Sequence, residues 1–239
     1  MGKEVNYLLE KVIEIMNKEE KGKVLDIGCG NGDYSFRLKN LGFEVVALDI
    51  DEERFKYKDE IEFCKCDITK GLPFSDNYFD YIIFLEVIEH LRNPYFVVGE
   101  ISRILKPKGI LILSTPNILN LKSRLRFLFE GSWEYFREPP LDQLKTQRKK
   151  FFNIHTFSYR IHELEFLLYN CGFLIEDVFT SEFEFSPLFI FLPFIRLQMY
   201  LKRRRSIKKR GIDYTRIHRA ILSKELLFGK HLILKAKKI

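Results

Sequence analysis

Two glutamates and a histidine stand close together in the segment Glu86-Val87-Ile88-Glu89-His90. In a helix, residues three and four positions apart share one face, so Glu86, Glu89 and His90 would meet there. Such a set suits a divalent ion of the Mg²⁺ or Mn²⁺ kind, or it leaves His90 as a general base toward a hydroxyl. His155 is the second candidate base, and a purely structural role for the whole set is the remaining alternative.

A glycine-rich turn lies upstream of this set. Gly28, Gly30 and Gly32 alternate with other residues, directly after a short apolar run and directly before a helical pattern, which predicts a strand, a tight turn and a helix. Glycine permits positive φ and close approach of a ligand, and the N–H groups of the following helix would point into the same space. The spacing G-x-G-x-G differs from the G-x-G-x-x-G of dinucleotide-binding turns.

Two acidic residues lie at or near the ends of consecutive apolar runs. Asp26 lies inside the run before the glycines, and Asp49 ends the next run about 20 residues on, where ribose hydroxyls are usually held in such folds. Carboxylates at two neighbouring strand ends favour a nucleoside ligand.

Strand and helix patterns alternate along the chain and would place these residues at one edge of a sheet. The predicted helices are 3–19, 33–41, 51–58, 94–105 and 158–171, and the predicted strands are 24–27, 43–49, 61–65, 78–85, 110–116, 173–179 and 231–237. This alternation predicts an α/β fold with a doubly wound sheet and ligands at the carboxyl ends of the strands.

Five motifs in this order resemble those of class I S-adenosylmethionine-dependent methyltransferases of the type-11 group. They are Val-Leu-Asp-Ile-Gly-Cys-Gly-Asn-Gly at 24–32, Ala-Leu-Asp-Ile at 47–50, Cys-Asp-Ile at 66–68, the block 72–91, and Leu-Lys-Pro-Lys-Gly at 105–109. The resemblance covers roughly residues 20 to 180. It implies a Rossmann-like seven-stranded sheet, mostly parallel with an antiparallel last strand, and S-adenosylmethionine as the cofactor.

The resemblance also implies where that cofactor would bind. The methionine end would lie on Asp26 and the backbone of Gly28, Cys29 and Gly30; the ribose on Asp49; the adenine on Asp67 between Ile50 and Ile68; and the sulfonium beside Leu85 and Glu86. A loop cap is the alternative role for Asp67. The E-x-x-E-H pattern is similar to one in ubiquinone-biosynthesis O-methyltransferases and in small-RNA 2′-O-methyltransferases, where these positions bind metal, whereas many type-11 relatives keep Glu-His without metal.

Two insertions interrupt an otherwise single methyltransferase domain over 1–239. The first, 117–157, contains the pattern of an amphipathic helix and is either a substrate lid or an embellishment packed on the core. The second, 181–229, is apolar over 183–195 and basic over 202–210, a run whose seven Lys and Arg residues equal the net charge of +7. Apolar sequence beside basic sequence predicts peripheral membrane contact through 183–210, with a dimer interface or core packing as the alternative.

These observations favour an enzyme that methylates an oxygen of a small-molecule, glycan or lipid-linked acceptor. RNA methylation is the alternative, although the charge outside the basic run is balanced, and a non-catalytic S-adenosylmethionine-binding module is the second alternative. A charged N-terminal segment without a signal-peptide pattern predicts a cytoplasmic protein, and the segment 183–210 adds membrane association as an option. The four cysteines lack metal-site spacing and are expected to be structural thiols.

Overall fold

In the part of the chain that the structure describes, seven strands form one sheet in the order β3-β2-β1-β4-β5-β7-β6. The computed structural model describes residues 6–133, 155, 157–184, 189–190, 192–210 and 219–239. The strands are β1 Lys23–Ile27, β2 Glu44–Asp49, β3 Glu62–Lys65, β4 Phe79–Leu85, β5 Leu105–Pro116, β6 Phe173–Phe179 and β7 His231–Lys238. Among the strands of the described residues, β7 alone runs opposite to the other six, which confirms the predicted fold class.

The helices of the described residues, apart from short 3₁₀ turns, are α1 Tyr7–Met16, α2 Asp33–Asn40, α3 Pro94–Ile104, α4 Leu121–Glu130, α5 Ile161–Asn170, α6 Leu192–Arg210 and α7 Lys224–Phe228. The apolar sides of α1 and α2 pack on one face of the sheet, and those of α3 and α5 pack on the other. Strand β4 lies centrally and alternates its buried side chains between the two cores, as a run that is apolar on both faces predicts.

Helix α3 begins as the sequence predicts, but the segment after it differs from the prediction. Asn93 caps the helix by accepting a hydrogen bond from Phe96 N at 3.3 Å, and Pro94 occupies the first turn. The Lys-Pro-Lys-Gly segment, which predicts a loop before β5, instead lies within β5. Leu105 pairs with Phe79, and the register shifts between Phe79 and Tyr81 of β4. The strand therefore begins directly at the end of the helix.

The carboxyl ends of the parallel strands meet at one edge, called the crevice edge below. Leu85 pairs there with Ser114, and Asp49 ends β2 on the same side. Strand β5 ends beside the first residue of β7, since Pro116 pairs with His231. Strand β6 also ends at this edge, so the segments 117–157 and 181–229 both begin and end there. Among helices in the described part of the chain, none combines the length and apolar character needed to cross a bilayer.

Candidate functional site

The three alternating glycines all adopt positive φ but face different surroundings. A Cβ on Gly28 would lie 2.5 Å from the Val87 side chain, and one on Gly32 would lie 2.5 Å from the Phe55 ring. A Cβ on Gly30 would meet no atom within 4 Å. Only Gly30 therefore borders open space at the crevice edge, where a ligand would approach the backbone, while the other two permit close packing of the turn.

The N–H groups of Gly28, Cys29 and Gly30 form hydrogen bonds within the protein. Gly28 N and Cys29 N both donate to Leu48 O, at 2.8 and 3.1 Å, and Gly30 N donates to a carboxylate oxygen of Asp49 at 2.9 Å. These N–H groups are therefore satisfied within the protein instead of pointing freely at a ligand. A phosphate would need such donors, whereas the ammonium of a methionine end needs acceptors, so this turn suits the latter better.

Asp26 is a buried residue of β1, next to the glycine turn. Its carboxylate accepts a hydrogen bond from Ser35 Oγ on α2 at 2.6 Å. Burial raises the pKa of Asp26 to about 6, and the nearby Asp49 charge acts in the same direction. The contact joins β1 to α2 and fixes the turn between them, and a direct role of Asp26 toward the methionine end remains a prediction.

Asp49 is positioned at the end of β2 by two backbone donors. Gly30 N contacts one carboxylate oxygen and Asp51 N contacts the other at 3.0 Å, which leaves further lone pairs on both oxygens. The next residue, Ile50, is 49% exposed, which is unusual for an isoleucine. A fixed acceptor beside an exposed apolar side chain fits a ribose and an adjoining base.

Asp67 serves as the N-cap of the short 3₁₀ turn Ile68–Lys70. Its Oδ1 accepts from Thr69 N and Thr69 Oγ1 at 3.1 and 2.7 Å, and its Oδ2 lies 3.4 Å from Lys70 Nζ. The hydrogen bonds to Thr69 and the Lys70 charge lower the pKa of Asp67. The alternative of a loop cap is thus observed, and the expected contacts of Asp67 and Ile68 with adenine remain predictions.

The segment after β4 is not the helix that would align Glu86 with Glu89 and His90. Leu85 ends β4 in a buried position, and Glu86 adopts a left-handed φ of 53°. Glu86 Oε1 accepts from Ser114 Oγ at 2.7 Å, so its side chain extends toward β5. Only Ile88–His90 forms a 3₁₀ turn. The predicted shared face of Glu86, Glu89 and His90 is therefore wrong.

A different cluster forms instead from Glu89, His90 and His155. One ligand atom from each residue lies within 4.8 Å of the others. His155 Nε2 is 3.8 Å from Glu89 Oε1, and the two imidazole rings are 5.0 Å apart. Phe157 N donates to the Glu89 carbonyl at 3.0 Å and so holds the chain near His155 against the turn. The sequence predicted both histidines, and the structure brings them together.

The Glu89 carboxyl is fully buried, and within the described residues neither of its oxygens has a partner with good hydrogen-bond geometry, although the nearby Thr115 hydroxyl acts to lower its pKa. Burial, together with the Glu86 charge, raises the pKa of Glu89 to about 9. An unpaired buried carboxylate is costly, so this group needs either a proton or a cation. One carboxylate oxygen and two imidazole nitrogens fit a divalent metal ion. This ligand set contains His155, whereas the set considered from the sequence contained Glu86.

His231 is a further residue at this site that sequence reasoning missed. Its Nδ1 lies 2.7 Å from Ser181 Oγ, and its Nε2 lies 3.9 Å from Glu86 Oε2. Burial lowers the pKa of His231 to about 4, so the ring is neutral near pH 7. Burial likewise raises the pKa of Glu86 to about 7. The only signal in the sequence was that His231 begins the predicted strand 231–237.

Comparison with known proteins gives related sequences. A family model described as a methyltransferase domain matches residues 18–147, more than half of the chain. The ubiquinone biosynthesis O-methyltransferase of Rickettsia bellii is 35% identical over 122 residues, 47% of this chain and 50% of that protein. A probable S-adenosylmethionine-dependent methyltransferase of Mycolicibacterium smegmatis is 30% identical over 158 residues, 64% of this chain and 52% of that protein. The chain thus spans about half the length of the curated relatives that it matches.

Solved structures share the architecture. A SAM-dependent methyltransferase from Archaeoglobus fulgidus superposes with a TM-score of 0.59 at 20% identity, covering 96% of this chain and 94% of that one. A SAM-dependent methyltransferase from Thermotoga maritima superposes with a TM-score of 0.58 at 17% identity, covering 98% and 89%. At these identities the likeness concerns the fold.

Proposed function

Because the chain belongs to the methyltransferase-domain family, we propose that it transfers the methyl group of S-adenosylmethionine to a hydroxyl oxygen of a small-molecule, glycan or lipid-linked acceptor. The membership confirms the predicted class of methyltransferase, and the relative of Mycolicibacterium smegmatis, a probable S-adenosylmethionine-dependent methyltransferase, supports the predicted cofactor. The observation that carries the choice of oxygen is the Glu89–His90–His155 cluster at the crevice edge. A neutral hydroxyl must lose a proton on methylation, and this cluster offers groups that accept one.

The chemical step needs chiefly alignment and a proton acceptor. The acceptor oxygen forms a bond to the methyl carbon while the sulfur–carbon bond breaks, and the sulfonium becomes a neutral thioether. The hydroxyl proton goes to an imidazole nitrogen of His90 or His155. His155 is half-buried and lies beside the buried Glu89, which places the pair between the core and the open side of the crevice.

The cofactor assignment draws on the turn as well as on the family. Gly30 borders open space, and Asp49 keeps lone pairs that can accept further hydrogen bonds. The N–H groups of the turn already donate hydrogen bonds within the protein. A nicotinamide dinucleotide would need those N–H groups for its pyrophosphate, so these contacts favour S-adenosylmethionine. The residues expected to bind it are Asp26, Gly28, Cys29, Gly30, Asp49, Ile50, Asp67, Ile68, Leu85 and Glu86.

As an alternative to accepting the proton, the same three residues, Glu89, His90 and His155, would hold a divalent ion, with the imidazole nitrogens as ligands. The missing hydrogen-bond partners of Glu89 support this role, because a cation would compensate the buried charge. When bound, the ion would supply positive charge that makes an adjacent acceptor hydroxyl more acidic.

Isothermal titration with S-adenosylmethionine tests the cofactor assignment, and methyl transfer from radiolabelled cofactor tests the acceptor class. We expect binding of S-adenosylmethionine and not of NAD, with a loss of at least about tenfold in affinity for Asp49→Ala, since a ribose-binding carboxylate is removed. The transfer assay should label a lipid or small-metabolite extract. His155→Ala should lower turnover while leaving cofactor affinity unchanged. Labelling confined to RNA would contradict the proposed acceptor class.

A further inference from the structure

Helix α6 carries two chemically different halves along its length. Its first half is mainly apolar and contains a single charged residue, Arg196, whereas its second half begins with Lys202-Arg203-Arg204-Arg205. The segment 189–210 contains no aspartate or glutamate. Nineteen residues of helix extend about 28 Å, long enough for the two halves to contact different zones of a surface.

The first half exposes large apolar side chains to solvent. Phe194 is 70% exposed, and Leu197, Tyr200 and Leu201 of the same half are exposed as well; Phe189 and Ile190, just before the helix, are also exposed. Single exposed apolar residues are ordinary, but several large ones in one short segment mark a binding surface. The patch is therefore expected to be covered in the working protein.

The second half presents positive charge beside this patch. Lys202, Arg204, Arg205 and Lys208 are exposed. Each of these groups adds attraction toward an anionic surface, and no acidic side chain of the same helix offsets it. The covering partner should therefore combine an apolar interior with anionic groups at its boundary, which is the chemistry of a bilayer containing acidic phospholipids.

The position of the segment relates this surface to the crevice. Strand β6 ends and strand β7 begins at the crevice edge, so the chain leaves the sheet and returns to it beside the Glu89 cluster. The segment that carries α6 is thus attached to the fold at the edge where the acceptor is expected.

We infer that α6 docks the protein on anionic lipid bilayers, with Phe194 and its apolar neighbours at the acyl boundary and the basic half on lipid phosphates. The docking itself does not depend on methyl transfer. It would place the crevice edge near the lipid surface, and the further step, that the acceptor reaches the site from the membrane, rests on the proposed function.

Vesicle flotation of the full chain tests this inference. We expect the protein to float with vesicles of equal parts phosphatidylcholine and phosphatidylglycerol and to stay below with phosphatidylcholine alone. The variant Lys202→Gln, Arg204→Gln, Arg205→Gln should lose at least about tenfold in partitioning, because each removed charge weakens attraction to the anionic surface. The variant Phe194→Ser, Leu197→Ser, Leu201→Ser should also lose binding, and raised salt should weaken that of the unaltered protein.

Matched controls remove the same number of charges or apolar side chains elsewhere. Lys18→Gln, Lys21→Gln, Lys39→Gln neutralises lysines at the opposite edge of the sheet, and Phe166→Ser, Tyr169→Ser, Leu174→Ser removes exposed apolar groups of α5 and β6. Both controls should float like the unaltered protein. Titration with S-adenosylmethionine should give unchanged affinity for every variant, which separates this test from that of the proposed function.

Three results would overturn the inference. The first is failure of the unaltered protein to float with either vesicle. The second is equal flotation of the α6 variants and the unaltered protein. The third is a dimer in sedimentation, or a complex with single-stranded RNA, that the α6 variants abolish in the absence of vesicle binding.

Discussion

At the scale of single residues, the three glycines of the turn have distinct physical reasons. Gly28 and Gly32 leave room for Val87 and Phe55, whereas Gly30 borders open space. Their spacing alone predicted a tight turn beside a ligand. It could not separate packing from ligand approach, because Val87 and Phe55 lie far along the chain from the glycines.

A pair of alanine substitutions separates these roles. Gly28→Ala should lower the free energy of unfolding by about 2–4 kcal/mol, since a left-handed φ and a contact of 2.5 Å both oppose a Cβ. Gly30→Ala should cost about 1 kcal/mol but weaken S-adenosylmethionine binding at least about tenfold, because its Cβ would project where the ligand approaches. Urea unfolding and isothermal titration measure both quantities. Equal stability losses would contradict the assignment.

Glu89 makes stability depend on pH in a predictable direction. Burial raises its pKa from 4.5 to about 9, so between these values the folded state binds more protons than the unfolded state. The free energy of unfolding of the metal-free protein should therefore fall as pH rises through this window. Glu89→Gln imitates the protonated carboxyl. Its free energy of unfolding should exceed that of the unaltered protein by at least about 1 kcal/mol at pH 8 and should match it more closely at pH 5.

Urea unfolding at both pH values in the presence of a chelator measures this difference. Glu62 is exposed, and Glu62→Gln serves as the control. Its free energy of unfolding should equal that of the unaltered protein at both pH values. Identical pH slopes for Glu89→Gln and the unaltered protein would show that Glu89 is ionised in the folded state. Addition of Mg²⁺ or Mn²⁺ at pH 8 should raise the melting temperature of the unaltered protein and not that of Glu89→Gln.

At the scale of elements, Asn117 joins the end of β5 to the segment before β7. Its Nδ2 donates to Glu225 O, Leu226 O and Gly229 O at 3.2, 3.1 and 2.8 Å, and Asn117 itself is buried. These contacts fix both sides of the crevice edge next to His231.

Asn117→Ala should therefore lower the free energy of unfolding by about 2–4 kcal/mol, because buried carbonyl groups lose their donor. Thermal unfolding measures this, and the loss should appear without added cofactor. The exposed Asn40→Ala, at the end of α2, is the matched control and should change the melting temperature little. A melting temperature for Asn117→Ala equal to that of the control would contradict the role.

Most elements could be predicted from the sequence, because apolar periodicity and capping residues act over short distances. Asn93-Pro94 began α3 as expected, and β2 ended at Asp49. The exceptions depend on distant partners. Glu86 accepts a hydrogen bond from Ser114, which lies 28 positions later in the sequence, and Ser181 forms a hydrogen bond with His231, 50 positions later. Such pairs give no local pattern, so the cluster of Glu89, His90 and His155 could be found only in the fold.

At the scale of the whole molecule, the chemistry is concentrated at one edge of the sheet. The glycine turn, Asp49, the Glu89 cluster and His231 all lie at the crevice edge, while the lysines between α1 and β1 lie at the other. The sequence predicted this arrangement, since parallel strands with crossover helices place their carboxyl ends together. It could not predict how the segments 134–154 and 211–218 are arranged, and these lie outside the described residues.

Hydrogen exchange with and without S-adenosylmethionine should reveal this asymmetry. A hundredfold excess over Kd stabilises the folded state by about 2.7 kcal/mol, and local protection should rise at 28–32 and 49–51. The loop 18–22 and the first part of β5, 106–109, at the opposite edge should change little. Mass spectrometry of peptic peptides measures both. Uniform protection across the two edges would place the ligand elsewhere.

The position of β7 has a consequence for synthesis of the protein on the ribosome. Strand β6 reaches the sheet only through β7, which lies between β5 and β6. A nascent chain therefore cannot seat residues 173–179 until residue 238 has left the exit tunnel, and His231 arrives with that same strand. Strand β6 therefore joins the sheet only after β7 has been made, and a chain cut short before β7 would leave the edges of β5 and β6 unpaired and open to aggregation.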